Sequence, residues 1–163
     1  MIWRPAIIAA AASLALAQPT LAQGVVTTHQ LTADAANAMV MAAMEQCRKD
    51  GYKVAAAVID RGGNLQAFIR DAGTGPHTQD SARKKAFTSA TFGITSAEFA
   101  TRMANPAAAG LKEVPGVIPL GGGVPIKVGN EVIGGIGVGG APGADKDEAC
   151  ANAGLQKIAD QLK

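Results

Sequence analysis

The chain reads as an α/β (α+β) protein in which antiparallel strands form one sheet and helices group on its faces. Two observations lead there. Apolar residues recur at helical spacing near both ends and in the middle of the chain, and the strand-like runs between them are joined by tight glycine turns rather than by helical crossovers. No regular strand–helix–strand alternation, internal repeat or low-complexity linker breaks this order. Residues 23–163 are therefore expected to form a single domain.

Residues 1–22 stand apart from that domain. Met1 to Arg4 carries one positive charge, Ala6 to Ala17 is an almost unbroken apolar run, and Pro19 breaks it before Thr20-Leu21-Ala22. The run falls well short of the ~20 residues that a membrane helix needs. A basic start, an apolar middle and a small-residue exit make a secretory signal peptide, with cleavage expected after Ala22 and a periplasmic or secreted product. No second apolar run is long enough to span a bilayer, so no membrane insertion is expected once the leader is gone.

The first helix is expected to open on Thr32 as N-cap, with Asp34 in its first turn, and to bury Ala35, Met39, Ala43 and Cys47 before stopping at Gly51. Val54 to Asp60 and Leu65 to Arg70 are two strands joined by the Arg61-Gly62-Gly63-Asn64 turn. After a loop rich in glycine and proline, Thr78 is expected to cap a helix that runs to about Phe92 and ends at Gly93. Thr95-Ser96-Ala97-Glu98 is a capping box for a short further helix. Three strands follow, Val117–Leu120, Val124–Val128 and Glu131–Val138, and Asp145-x-x-Glu148 starts a last helix whose apolar side includes Cys150, Gly154 and Ile158.

Composition excludes several function classes. The chain has 15 Lys+Arg against 13 Asp+Glu, and loss of Arg4 with the leader brings it closer to neutrality. Such a chain offers no basic field for nucleic acid, and its few aromatics offer little for base stacking. Gly135-x-Gly137-x-x-Gly140 matches a dinucleotide fingerprint in letters only, because one helix and no strand follows it. Its missing side chains instead let a helix, a ligand or another subunit lie close. No serine sits in a nucleophile elbow, and no His/Cys/acidic cluster has zinc-ligand spacing. Asp60, Asp71 and Asp80 read as caps of turns and helices. Cys47 and Cys150 are either one disulfide, plausible in an exported chain, or two small buried hydrophobes; both readings stay open.

The segment that carries chemistry runs from Gly73 to Phe87. A stiff loop delivers His77 to a helix start, Arg83-Lys84-Lys85 follow, and Phe87 lies just beyond. An imidazole nitrogen can ligate iron, cations can pair with carboxylates, and an aromatic ring can cover a flat ligand. The same residues also suit a capped helix with a solvated basic face.

Several motifs in one order narrow the choice. Val58-Ile59-Asp60-Arg61-Gly62-Gly63-Asn64-Leu65, Pro76-His77-Thr78 with Ala82-x-x-Lys85-Ala86-Phe87-Thr88, Gly122-Gly123-Val124-Pro125-Ile126, and Val132 to Gly143 with Asp145-x-Asp147-Glu148 are spread over nearly the whole mature chain. Together they resemble the GlcG/HbpS-type haem-binding family. The resemblance implies a profilin-like, five-stranded antiparallel sheet with helices on both faces, a homo-oligomer, and first and last helices on one face, which favours a Cys47–Cys150 bridge. It implies haem as cofactor, with His77 or Thr78 as axial iron ligand, Arg83, Lys84 and Lys85 as propionate partners and Phe87 as a wall. A haem storage, sensing or scavenging role follows, with a sensor kinase or periplasmic oxidoreductase as partner. The alternatives are a haem-degrading or other redox enzyme, and a non-haem subunit binding an organic acid or corrinoid. Gly139 and Gly121 depart from the Ser and Pro common at those places in the family.

Overall fold

The computed structural model describes residues 24–163; the expected leader lies outside them. Helix α1 (Ala33–Lys49) opens as its sequence dictates, with Thr32 accepting a hydrogen bond from Ala35 N at 3.2 Å. Strands β1 (Ala55–Asp60) and β2 (Leu65–Arg70) form the expected hairpin. Helix α2 (His77–Phe92) ends on Gly93 at φ 66°, and α3 (Ser96–Arg102) is capped by Thr95, which accepts from Glu98 N at 3.1 Å. Strands β3 (Gly123–Val128) and β4 (Glu131–Gly139) lead into α4 (Ala144–Lys157).

All strand pairs are antiparallel, in the order β2-β1-β4-β3. The sheet thus has four strands, and the expected fifth is corrected. Val117–Leu120 forms no strand; its Ile118 meets α2 instead, where Ile118 N donates to Thr88 Oγ1 at 2.9 Å and that hydroxyl lies 3.3 Å from Ile118 O. With Pro119 also lacking a donor, the segment has no ladder to join.

The alternation of strands sorts side chains to two faces. Ala56, Val58, Ile126, Ile136 and Val138 point to one side, where α1 and α4 pack through Met39, Ala43, Met44, Ala151 and Ile158. Cys47 and Cys150 bond across this helix pair, with Cα atoms 5.5 Å apart. The other face holds Ala55, Ala57 and the alternating Gly135, Gly137 and Gly139, and α2 lies directly on it. A Cβ on Gly137 would overlap Ala82 O, and one on Gly135 would overlap Ala86 O. The glycine run is therefore the bed of a helix and leaves no phosphate turn. Among the described residues no helix is long and apolar enough to cross a membrane.

Candidate functional site

Helix α2 divides the residues singled out from sequence between two faces. Its N-cap is Pro76, at φ −61° and without a side-chain hydrogen bond. Thr78 is therefore not the cap: its Oγ1 donates to Gly75 O at 2.7 Å, and the residue is only 1% exposed. His77 is exposed, its imidazole folded back over Gly75. A Cβ on Gly75 would stand 2.7 Å from His77 Cε1, so glycine at that place is what lets the ring lie there.

From His77, steps of three and four residues place Asp80, Lys84 and Phe87 along the outward side of α2. Asp80 takes the Lys84 ammonium at 2.7 Å and lies 3.7 Å from the Arg83 guanidinium. The hydrogen bond from Lys84 holds the Asp80 carboxyl below its usual value, against a small effect of burial. Phe87 is half-buried at the far end, and its Cα is about 15 Å from that of His77 at 1.5 Å per residue.

Lys85 belongs to the other face, and its expected role as a propionate partner is corrected. It is 2% exposed, its Nζ donating to Asp147 Oδ2 at 2.7 Å and to Val138 O at 2.9 Å. Asp147, at the start of α4, also accepts from Ala141 N at 3.0 Å. The pair joins helices on opposite sides of the sheet by passing its end, where Gly122 leaves room. A Cβ on Gly122 would stand 2.7 Å from Asp147 Cβ and 3.0 Å from Lys85 Nζ. Burial pushes the Asp147 carboxyl above its usual value while Lys85 pulls it back. Burial likewise raises Glu148, whose Oε2 is enclosed without a hydrogen-bond partner among the described residues. With Lys85 committed, a propionate would find only Arg83 and Lys84. Thr78 is buried with its hydroxyl turned to Gly75 O, whereas His77 is exposed.

Sequence reasoning missed Asp147 as the partner of Lys85. The signal was present: Lys85 is three residues after the apolar Ala82 and four before Ser89, on the inward stripe, where a cation needs a buried anion. It also missed the cluster between the two hairpin turns. There Glu131 bonds His29 Nδ1 at 2.7 Å and Arg61 Nη1 at 3.4 Å, and His29 chiefly holds its carboxyl below the usual value. These partners lie 102 and 70 residues apart, beyond any local pattern.

Comparison with known proteins agrees with this architecture. Protein GlcG of Escherichia coli strain K12 is 32% identical over 108 residues, which cover 66% of this chain and 80% of GlcG. The crystal structure of a Streptomyces reticuli HbpS double mutant matches with a TM-score of 0.78 at 40% identity, covering 86% of this chain and 97% of that one. A crystal structure of a PduOC–haem complex shares the fold, with a TM-score of 0.73 at 22% identity over 80% of this chain and 96% of that one. The family described as "Haem degrading protein HbpS-like" matches residues 31–156. On these grounds the chain belongs to the HbpS-like family.

Proposed function

We propose that this protein is exported and binds haem on the outward face of α2, where His77 would hold the iron. The observation that carries the reading is the exposed imidazole at the head of that face, hydrogen-bonded to none of the described residues. Neutral imidazole is a common iron ligand, and this one is held clear of competing ion pairs. Bound haem would supply the iron and its visible absorption. The chain's own residues would orient it: Arg83 and Lys84 would exchange their shared Asp80 for a propionate, while Phe87, whose ring lies against Gly63 and Gly116, faces the groove at the far end of α2 and takes no part.

One helix face leaves the other side of a flat ring in water. A second copy would cover it, and the exposed Leu65 and Phe68 on neighbouring β2 are apolar surface for such a contact. The leader-like start supports export to the periplasm or beyond, where storage, sensing or scavenging of haem would take place. A sensor kinase or periplasmic oxidoreductase would be the partner there.

Titration of the purified mature chain with haemin is expected to give a saturable Soret shift. His77→Ala is expected to weaken it about tenfold or more, a charge-independent loss of one strong ligand, while Thr78→Ser leaves it unchanged. An unchanged titration of His77→Ala overturns the ligand assignment. The family description names degradation, which favours one second reading. Adding ascorbate and oxygen to the complex separates the two. A persistent Soret band supports storage, and loss of the band with release of iron selects the enzyme.

A further inference from the structure

A groove of about 680 Å³ lies at the opposite end of α2 from His77, within the usual ~300–1,000 Å³ of small-molecule sites. Ile59 and Val132, near the hairpin ends of β1 and β4, contribute apolar surface, and Phe87 and Phe92 contribute aromatic walls. Both rings are fixed from behind. Phe87 sits between Gly63 and Gly116, at φ 81° and 87°, where a Cβ would stand 2.9 Å and 3.2 Å from the ring. Phe92 stacks on the buried Phe99, with centroids 4.5 Å apart and an interplanar angle of 26°.

Arg61, Thr91, Asn130 and Glu131 supply the polar part of the lining. Arg61 is the cation of the lining and Glu131 its anion. Arg61 is loosely engaged: Nη1 lies 3.2 Å from Val132 O and 3.4 Å from Glu131 Oε1, whereas Glu131 makes its short bond to His29. The remaining guanidinium donors are in a side chain that is 59% exposed. A guanidinium fork beside aromatic walls matches a carboxylate on a flat ring. The groove also lies at the C-terminal end of α2, where the helix dipole is negative. That end disfavours anions, a doubly charged head group more than a singly charged one.

From this arrangement we propose that the groove is a second binding site, for a planar aromatic monocarboxylate. The ring lies against Phe87 and Val132, and the carboxylate takes Arg61 in place of Glu131. The site is separate from the haem reading of the other end of α2, and stands without it.

The probe is 2-naphthoate, titrated into the purified haem-free protein and followed by its fluorescence anisotropy. Saturable binding at one site per chain is expected. Arg61→Gln is expected to weaken it about tenfold or more, through loss of a charge-assisted hydrogen bond. Glu131→Gln is expected to tighten it several-fold, because it removes the competing carboxylate. The methyl ester and the dianionic 2-naphthyl phosphate are both expected to bind more weakly than 2-naphthoate. His77→Ala is expected to leave naphthoate binding unchanged, and Arg61→Gln to leave the haemin titration unchanged. The three substituted side chains, Arg61, Glu131 and His77, are all at least partly exposed, and circular dichroism confirms that each variant is folded before titration. Absence of saturable binding overturns the proposal, as does indifference to Arg61→Gln. Competitive displacement of naphthoate by haemin also overturns it, because haem would then own the groove.

Discussion

Lys85 stands in a run of three cations, yet only its neighbours reach water. The helical period turns it toward the sheet, and Asp147 meets it there at 2.7 Å, with both residues almost fully buried. Removing one partner of such a pair leaves a buried charge alone, at a cost of about 3–5 kcal/mol. Lys85→Met is accordingly expected to lower the urea unfolding midpoint sharply at pH 7, and the Lys85→Met/Asp147→Leu double variant to recover more than half of the loss. The pH dependence has a definite sign. Burial already raises Asp147, and removal of Lys85 removes the main opposing pull. Its native state then keeps a proton that the unfolded chain has released, so stability is present below the ordinary aspartate value of about 3.9 and is lost as pH rises through the raised one. The single variant should therefore lie closer to the parent at pH 4 than at pH 7. An equal deficit at both values would mean that no unpaired carboxylate is responsible. The exposed place of His77 beside a helix start was legible from its loop. The fates of Thr78 and Lys85 were not, since each is decided by one bond across a turn or across the sheet.

At the scale of elements, α2 and β4 depend on each other. The helix approaches so closely that alternate β4 positions have no room for a side chain, and β4 is glycine at those positions. Gly137→Ala would place its Cβ onto Ala82 O, and backbone cannot yield as a side-chain tip does. A loss of about 3 kcal/mol or more, or failure to fold, is expected, in line with overpacked cores. Gly129→Ala is the control. It sits at φ 55° in the β3–β4 turn with nothing near its Cβ, and only the left-handed strain of about 1–2 kcal/mol should be lost. Thermal unfolding of the two variants measures the difference, and equal losses would refute close helix–sheet packing as the reason for the glycines. Most of these elements were readable from sequence because caps and turns are local. Thr32, Thr95, Gly93 and the Gly62-Gly63 turn each declare an end within four residues. Val117–Leu120 read as a strand and is none; its Ile118 pairs instead with Thr88, 30 residues away.

For the whole molecule, the question is what holds two helices that are built largely of small residues. Ala36, Ala43 and Ala151 are buried in this layer, and Gly154 lies so close to α1 that a Cβ would stand 2.7 Å from Met39 O and 3.2 Å from Ala43 Cβ; each of these small residues buries little area. The Cys47–Cys150 bond closes 103 residues across that interface. In the chain-entropy description a loop of this length is worth about 4–5 kcal/mol. For a domain of this size each kcal/mol moves the melting temperature by about 3–5 °C. Cys47→Ala/Cys150→Ala is thus expected to melt about 15 °C lower than the oxidised parent, and reduction should bring the parent most of the way to the same value. The compartment enters through this bond, because disulfides persist where the surroundings are oxidising. A chain expressed from Met1 and recovered outside the cytoplasm should show no free thiol after denaturation, whereas one started at Gln23 and kept in a reducing cytosol should show two and melt low. Two free thiols in the exported product, or a melting temperature indifferent to reductant, would show that the small-residue interface stands without its crosslink. Closer packing of α1 on α4 would then have to account for the stability of that layer.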